Sequence, residues 1–176
     1  NNPHFFAGGV NVLDLQATET AFTGDTFQFL SANSEDPVVQ IKNSTNDAYG
    51  SRLRFNKDRG AAGQDGDLLG MIDWIGKNDA GSPETIEYAR IQGLISDAYD
   101  GAEGGKLRLG VASHDGDIGY GLVLTDGDAD GEVDATIGAS ATSLTTVAGD
   151  LSIYNKLTFR HNNNHYLQSG TNNWAF

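Results

Sequence analysis

The sequence predicts an all-β protein of many short antiparallel strands, arranged as a sandwich or a fibre-like stack. Two observations carry that class. Glycine and Asp or Asn punctuate the chain at short intervals, as at Gly24-Asp25, Gly66-Asp67, Gly116-Asp117, Gly127-Asp128 and Gly149-Asp150, and these are the residue types that turns require. Between them lie short runs rich in β-branched and aromatic side chains, which suit a pleated, half-buried surface. The Gly-Asp pairs keep no strict period, so they read as loop punctuation and not as a repeat.

The segments that fit a strand are 38–42, 52–56, 68–75, 85–97, 106–112, 121–125, 132–137, 150–154 and 157–160. Alternation is clearest in two of them. Leu53 and Phe55 oppose Arg52 and Arg54, and Leu107, Leu109 and Val111 oppose Lys106 and Arg108, the pattern of a strand with one apolar and one wet face. A helix competes over 82–99, where Ser82 could cap, Pro83 could open the first turn, and Tyr88, Ile91, Ile95 and Ala98 keep helical spacing. Gly93 in the middle and β-branched Thr85, Ile86, Ile91 and Ile95 weigh against it. As a strand, the segment places Ala89, Ile91, Gly93 and Ile95 on one face and turns through 99–105 into the next strand, with Gly104 and Gly105 offering positive φ. Trp74, inside an apolar strand, reads as core.

Composition excludes several classes. The 176 residues suffice for one domain or two small ones, and the absence of cysteine excludes a disulfide framework and a zinc-thiolate site. No apolar run approaches the roughly 20 residues that cross a bilayer, so membrane insertion is not expected, and no signal peptide is visible. A net charge of −13 opposes binding to phosphate backbones. The one cationic concentration, Arg52, Arg54, Lys57 and Arg59, is expected to pair with Asp58, Asp65, Asp67 or a neighbouring subunit.

Asp126, Asp128, Asp130 and Asp134, with Gly131 between, form a D-x-D-x-D-G-x-x-D run that offers oxygen ligands to a hard cation such as calcium. Ile137 stands where an EF-hand has its bidentate Glu, and the flanks read as strands. A solvated hairpin turn is therefore the preferred reading, and beyond this candidate calcium loop no metal or cofactor site is assigned. His114, Asp115, Gly116 and Asp117 also read as a turn, and His161 and His165 as part of an Asn-rich loop. No G-x-S-x-G elbow and no cysteine nucleophile exists. The 24 acidic residues make chance proximity of carboxylates certain, so no catalytic pair is assigned.

Several phrases carry a family resemblance: PVVQIKNSTNDAYGSRLRFNKDRGAAGQDGDLLGMIDWIGKNDA, YARIQGLISDAYDGAEGGKLRL, TIGASATSLTTVAGDLSI and the closing KLTF and HYL. Over 37–151 the chain resembles the β-rich structural and fibre proteins of tailed bacteriophages, notably those infecting marine bacteria and cyanobacteria. The resemblance implies a non-enzymatic virion component, a homotrimeric tail fibre or capsid appendage on the particle surface, serving assembly and host attachment alongside other virion proteins and possible contact with a host glycan or receptor. The alternatives are a polysaccharide-degrading phage appendage and a calcium-dependent carbohydrate-binding adhesion module. The organisation expected is a connecting or attachment segment over 1–36, a main β domain over 37–149 and a C-terminal β segment over 150–176.

A physical argument independent of the resemblance also points to assembly. With 38% hydrophobic and 9% aromatic residues, the chain has little apolar area to offset a backbone ordering cost of about 1–2 kcal/mol per residue, and association would also cover strand edges. No acidic residue follows Asp150, while Lys156, Arg160 and the aromatics Tyr154, Phe159, Tyr166, Trp174 and Phe176 do. That segment is the expected subunit interface, because it is least opposed by like charge. The alternative is that it closes the monomer's own sheet.

Overall fold

The structure is a computed structural model in which residues 24–156 are described. The expectations placed on Phe159, Tyr166, Trp174, Phe176, His161, His165 and the strand at 157–160 lie outside those residues. The chain divides into two compact units, Asn1–Arg54 and Phe55–Phe176.

In the first unit, the described residues contain neither helix nor strand. Its local order comes from side chains that bond to nearby backbone. The Thr45 amide donates to Asn43 Oδ1 at 2.9 Å, Asn43 Nδ2 donates to the Tyr49 carbonyl at 3.0 Å, and the Tyr49 amide donates to Asp47 Oδ1 at 2.9 Å. Asn and Asp side chains bonding the backbone two residues on are a standard turn device. Phe27 and Phe29 meet edge to face with centroids 4.7 Å apart.

The second unit carries one antiparallel sheet of five strands in sequence order: β1 (Leu68–Lys77), β2 (Thr85–Asp97), β3 (Gly104–Ala112), β4 (Ile118–Asp126) and β5 (Val133–Ile137). The fold class is therefore all-β, and no helix occurs among the described residues. The contested segment is the 13-residue β2, where the β-branched residues and Gly93 prevail over the helical spacing. Three expected strands, 38–42, 52–56 and 150–154, are not strands. Alternation tells which side chains could share a face, but a strand also needs a neighbour to complete its ladder, and these segments have none among the described residues.

The turns follow the punctuation. Gly66, Gly101, Gly116 and Gly131 have positive φ, and each stands in or beside a turn. Between β2 and β3 the left-handed residue is Gly101, not the expected Gly104 or Gly105. Gly104 is instead a strand residue at a close approach, because a Cβ there would run into the Asp126 carboxylate.

The pairing register builds two unlike faces. Ile72, Ile91, Leu109, Leu122 and Ile137 are successive cross-strand partners and form one row across all five strands. Gly70, Gly93, Leu107, Leu124 and Ala135 form the next row, and Trp74, Ala89, Val111 and Gly119 flank the first on its other side. Paired residues in an antiparallel ladder project to the same side, so these rows make an uncharged patch on one face, bordered in the next row by Asp126 and Val133. On the opposite face lie the rows Met71, Gln92, Arg108, Val123, Thr136 and Asp73, Arg90, Gly110, Tyr120.

Burial does not follow the expected assignment. No hydrophobic side chain is buried among the described residues, and Gln92, on the polar face, is exposed by only 6%. Trp74 is 49% exposed, Val111 62% and Ile137 63%. Trp74 is thus a surface residue of the apolar face and not the core residue the sequence suggests. At the corners of this face, Phe55 packs where a Gly70 Cβ would stand, and Ala139 lies near Gly119.

Candidate functional site

Two surfaces carry the chemistry of the second unit, and the polar one is self-contained. At its centre Gln92 Oε1 accepts from Arg108 Nη2 at 3.0 Å and from the Tyr120 hydroxyl at 2.8 Å, while its Nε2 donates weakly to Met71 Sδ at 3.4 Å. The Arg108 guanidinium lies 4.3 Å from the centre of the Tyr120 ring, a cation–π contact. Arg90 makes two hydrogen bonds to Glu87. Glu87 first, and then Tyr120, strengthen the Arg90 guanidinium's hold on its proton, while Arg90 draws the Glu87 carboxyl below its ordinary value. Every long side chain here is engaged with another, so this face works as a lid over Gln92.

Two irregularities in the ladders make that network. Between Trp74–Ala89 and Ile75–Glu87 the register advances one residue in β1 and two in β2, which brings Glu87 to the face that carries Arg90. Between Leu109–Leu122 and Gly110–Tyr120 the extra residue is Gly121 in β4. Strict alternation puts Tyr120 beside Leu122 on the apolar side; the bulge moves it across, over Gly110. Sequence reading missed this cluster. The even spacing of Arg90 and Gln92 and the alternation of Arg108 were legible signals, but Tyr120 has none without the bulge.

The apolar surface is the reverse case. In its central row Ile91, Leu109 and Leu122 are half-buried between the exposed ends Ile72 and Ile137, and Val111, Gly119, Ile137, Ala139 and Leu144 line an open groove of about 540 Å³ at one end. Burying such area is worth about 25 cal/mol per Å². As a chemical surface it offers contact and exclusion of water, with no ionisable group in its three rows.

The acidic loop closes on itself. Its residues join β4 to β5, and the Asp128 amide donates to Glu132 Oε2 at 2.8 Å while the Gly127 amide donates to the Glu132 carbonyl at 3.3 Å. Glu132 fills the space beside Gly127 that a Cβ would need. Among the described residues, no group of three or more His, Asp and Glu side chains converges as a metal cage, and Asp126, Asp128, Asp130 and Asp134 are not drawn together as one. On the turn reading, millimolar calcium is expected to leave the melting temperature little changed, since a ligand stabilises only by binding the folded state. A rise of many degrees, lost in Asp128→Ala, would contradict this.

The remaining sequence sites are turns or surface. Ser113 to Asp117 closes β3 onto β4: the Ser113 amide donates to the Asp117 carbonyl at 2.7 Å and the Gly116 amide to the Ser113 carbonyl at 2.9 Å. The Ser113 hydroxyl, followed by the Asp117 amide, draws the Asp115 carboxyl below its ordinary value. Of the basic stretch, Arg59 pairs as expected, its Nη1 donating to both Asp67 oxygens at 2.9 Å. Tyr154 of the expected interface is fully exposed.

Arg59, and then the Gln64 amide, hold Asp67 below its ordinary carboxylate value. A carboxylate whose pKa is depressed on folding adds stability that is present above the unfolded pKa and is lost as pH falls through the folded one. Asp67, Glu87 and Asp115 all shift in that direction. The melting temperature is therefore expected to fall as pH drops from about 5 through the ordinary carboxylate range and below it. Asp67→Asn should flatten the lower part of that slope; an identical slope in the variant would remove Asp67 from the explanation.

Compared with models of protein families, with curated proteins and with solved structures, the chain matches none.

Proposed function

We propose that this chain is a non-enzymatic structural component of a tailed-bacteriophage virion, a homotrimeric tail-fibre or capsid-appendage protein on the particle surface that contributes to assembly and host attachment. The observation that carries the structural part of this reading is the uncharged patch on one sheet face, with Trp74, Val111 and Ile137 about half exposed or more. Contiguous exposed apolar surface on a soluble chain marks an interaction site. A subunit that meets its neighbours through one face and shields the other with its own polar side chains fits an assembly better than a free-standing binding or catalytic domain. The phage setting is supported by the phrases over 37–151, which recur as architecture and carry no catalytic motif.

Antibody against the chain, applied to purified particles and viewed by electron microscopy, is expected to decorate the tail or the capsid surface. Its absence from intact particles would sink the reading. The enzymatic rival is separated by incubating the protein with host capsular polysaccharide. New reducing ends that disappear on a single Asp or Glu substitution would replace a structural role with a catalytic one.

A further inference from the structure

We infer that the apolar face of the β1–β5 sheet is a self-association surface, buried in solution against the same face of another copy of this chain. The inference rests on the assembly reading above for self-association and names the surface and its occupant; a face packed against itself closes as a two-fold pair, so it is a dimer contact and not by itself the three-fold one. It also differs from the sequence expectation, which placed the subunit interface in 150–176.

Charge selects the occupant. The chain carries a net −13, so two copies repel through most of their surfaces. The three apolar rows contain no Asp, Glu, Lys or Arg, so two copies can bring this patch together with Asp126, in the adjoining row, left at its edge. The polar face cannot serve as well, since Asp73, Glu87, Arg90 and Arg108 would have to be desolvated there. Two identical faces are also matched in composition by construction, as closed symmetric contacts require.

Area is sufficient. Five strands about 4.8 Å apart, over the roughly five residues that three same-face rows span at about 3.3 Å per residue, give a flat footprint of roughly 400 Å². Two such faces bury about 800 Å² as flat surfaces, and the relief of the side chains brings that toward the roughly 1,000 Å² of a specific interface. The row Ile72, Ile91, Leu109, Leu122, Ile137 runs through the middle of that footprint, where fully desolvated contacts contribute most to binding.

The test is the mass of the full chain by sedimentation equilibrium at tens of micromolar. A multiple of the 18.7 kDa single chain is expected. Val111→Lys and Ile137→Lys, at positions 62% and 63% exposed in the single chain, should each weaken association at least about 100-fold, two steps of 1.4 kcal/mol. Thr136→Lys, on the opposite face of β5, should leave the mass unchanged. Because a lysine variant could misfold, a second measurement uses Trp174→Phe, in which Trp74 is the one remaining tryptophan. Its emission should shift to the red on dilution through the mass transition.

A single chain at 100 μM, a multiple unaffected by both lysines, or Trp74 emission unmoved across dissociation would each overturn the inference. A monomer in solution would leave a particle location standing, and absence from particles would leave the interface standing.

Discussion

Replacing Gly110 with alanine is expected to lower the stability of the second unit by about 2–3 kcal/mol, near the upper end of what overpacking costs. A Cβ at this position would stand 2.6 Å from Ile118 Cγ2, 3.1 Å from Tyr120 Cδ1 and 3.1 Å from the Gly119 carbonyl oxygen. Two of those neighbours belong to side chains that can give way, but the third is backbone of the adjacent strand. Relief therefore requires either opening the β3–β4 ladder or lifting Tyr120, and lifting Tyr120 withdraws its hydroxyl from Gln92. Ile118→Ala in the same chain removes the closest clash and should restore part of the loss. A double-mutant cycle by urea unfolding would show this as a favourable coupling of about 0.5–1 kcal/mol. Strict additivity would mean that the alanine acts elsewhere.

For a unit that runs from Phe55 to Phe176, about 1 kcal/mol moves the melting temperature by roughly 4 °C, so the single variant should be evident in a thermal scan. Gly93→Ala is the comparison. A Cβ there meets nothing within 4 Å and it lies on the apolar face, so alanine should be neutral or slightly stabilising through the unfolded chain.

The class of the fold and most of the sheet could be read directly from the residues. β2 was placed to the residue because β-branched side chains fill it and Pro83 and Tyr99 lie just outside it. The β3 alternation of Leu107, Leu109 and Val111 against Lys106 and Arg108 predicted which residues share a face. What alternation could not reveal is which face would be covered. Apolar residues on one side of a strand imply an inner face only if a second layer exists, and layer count is a tertiary property. The same limit produced strands at 38–42, 52–56 and 150–154, whose patterns are as regular as those of true strands but whose partners are missing among the described residues. The polar network escaped for a different reason. Each inserted residue reverses the parity beyond it, so Glu87 and Tyr120 change sides at bulges, and a period-two reading has no term for an insertion. The acidic loop was legible both as ligand chemistry and as a turn, and Glu132, which closes it from within, lies outside the D-x-D-x-D pattern that suggested calcium.

Replacing Gln92 with leucine is expected to cost about 2–4 kcal/mol, because it removes one oxygen that two donors share. Arg108 Nη2 and the Tyr120 hydroxyl both donate to Gln92 Oε1. A guanidinium has no acceptor to offer in exchange, so each donor left without a partner costs about 1–3 kcal/mol of lost solvation where water cannot enter. Water has little access, since Gln92 is 6% exposed and Arg108 Nε already has no partner in a position closed to solvent. Leucine nearly matches the volume, so a cavity contributes little and the loss reports the hydrogen bonds. Two companion variants separate the terms. Tyr120→Phe removes one donor together with its need, keeps the ring under Arg108, and should cost only about 1 kcal/mol. Gln92→Glu keeps the acceptor and charges it beside Arg108. It should therefore match or exceed the parent stability at neutral pH and lose that advantage as the carboxylate is protonated in acid. Equal losses in Gln92→Leu and Gln92→Glu, measured by urea unfolding at pH 7, would show that Gln92 acts through its shape and not through its oxygen.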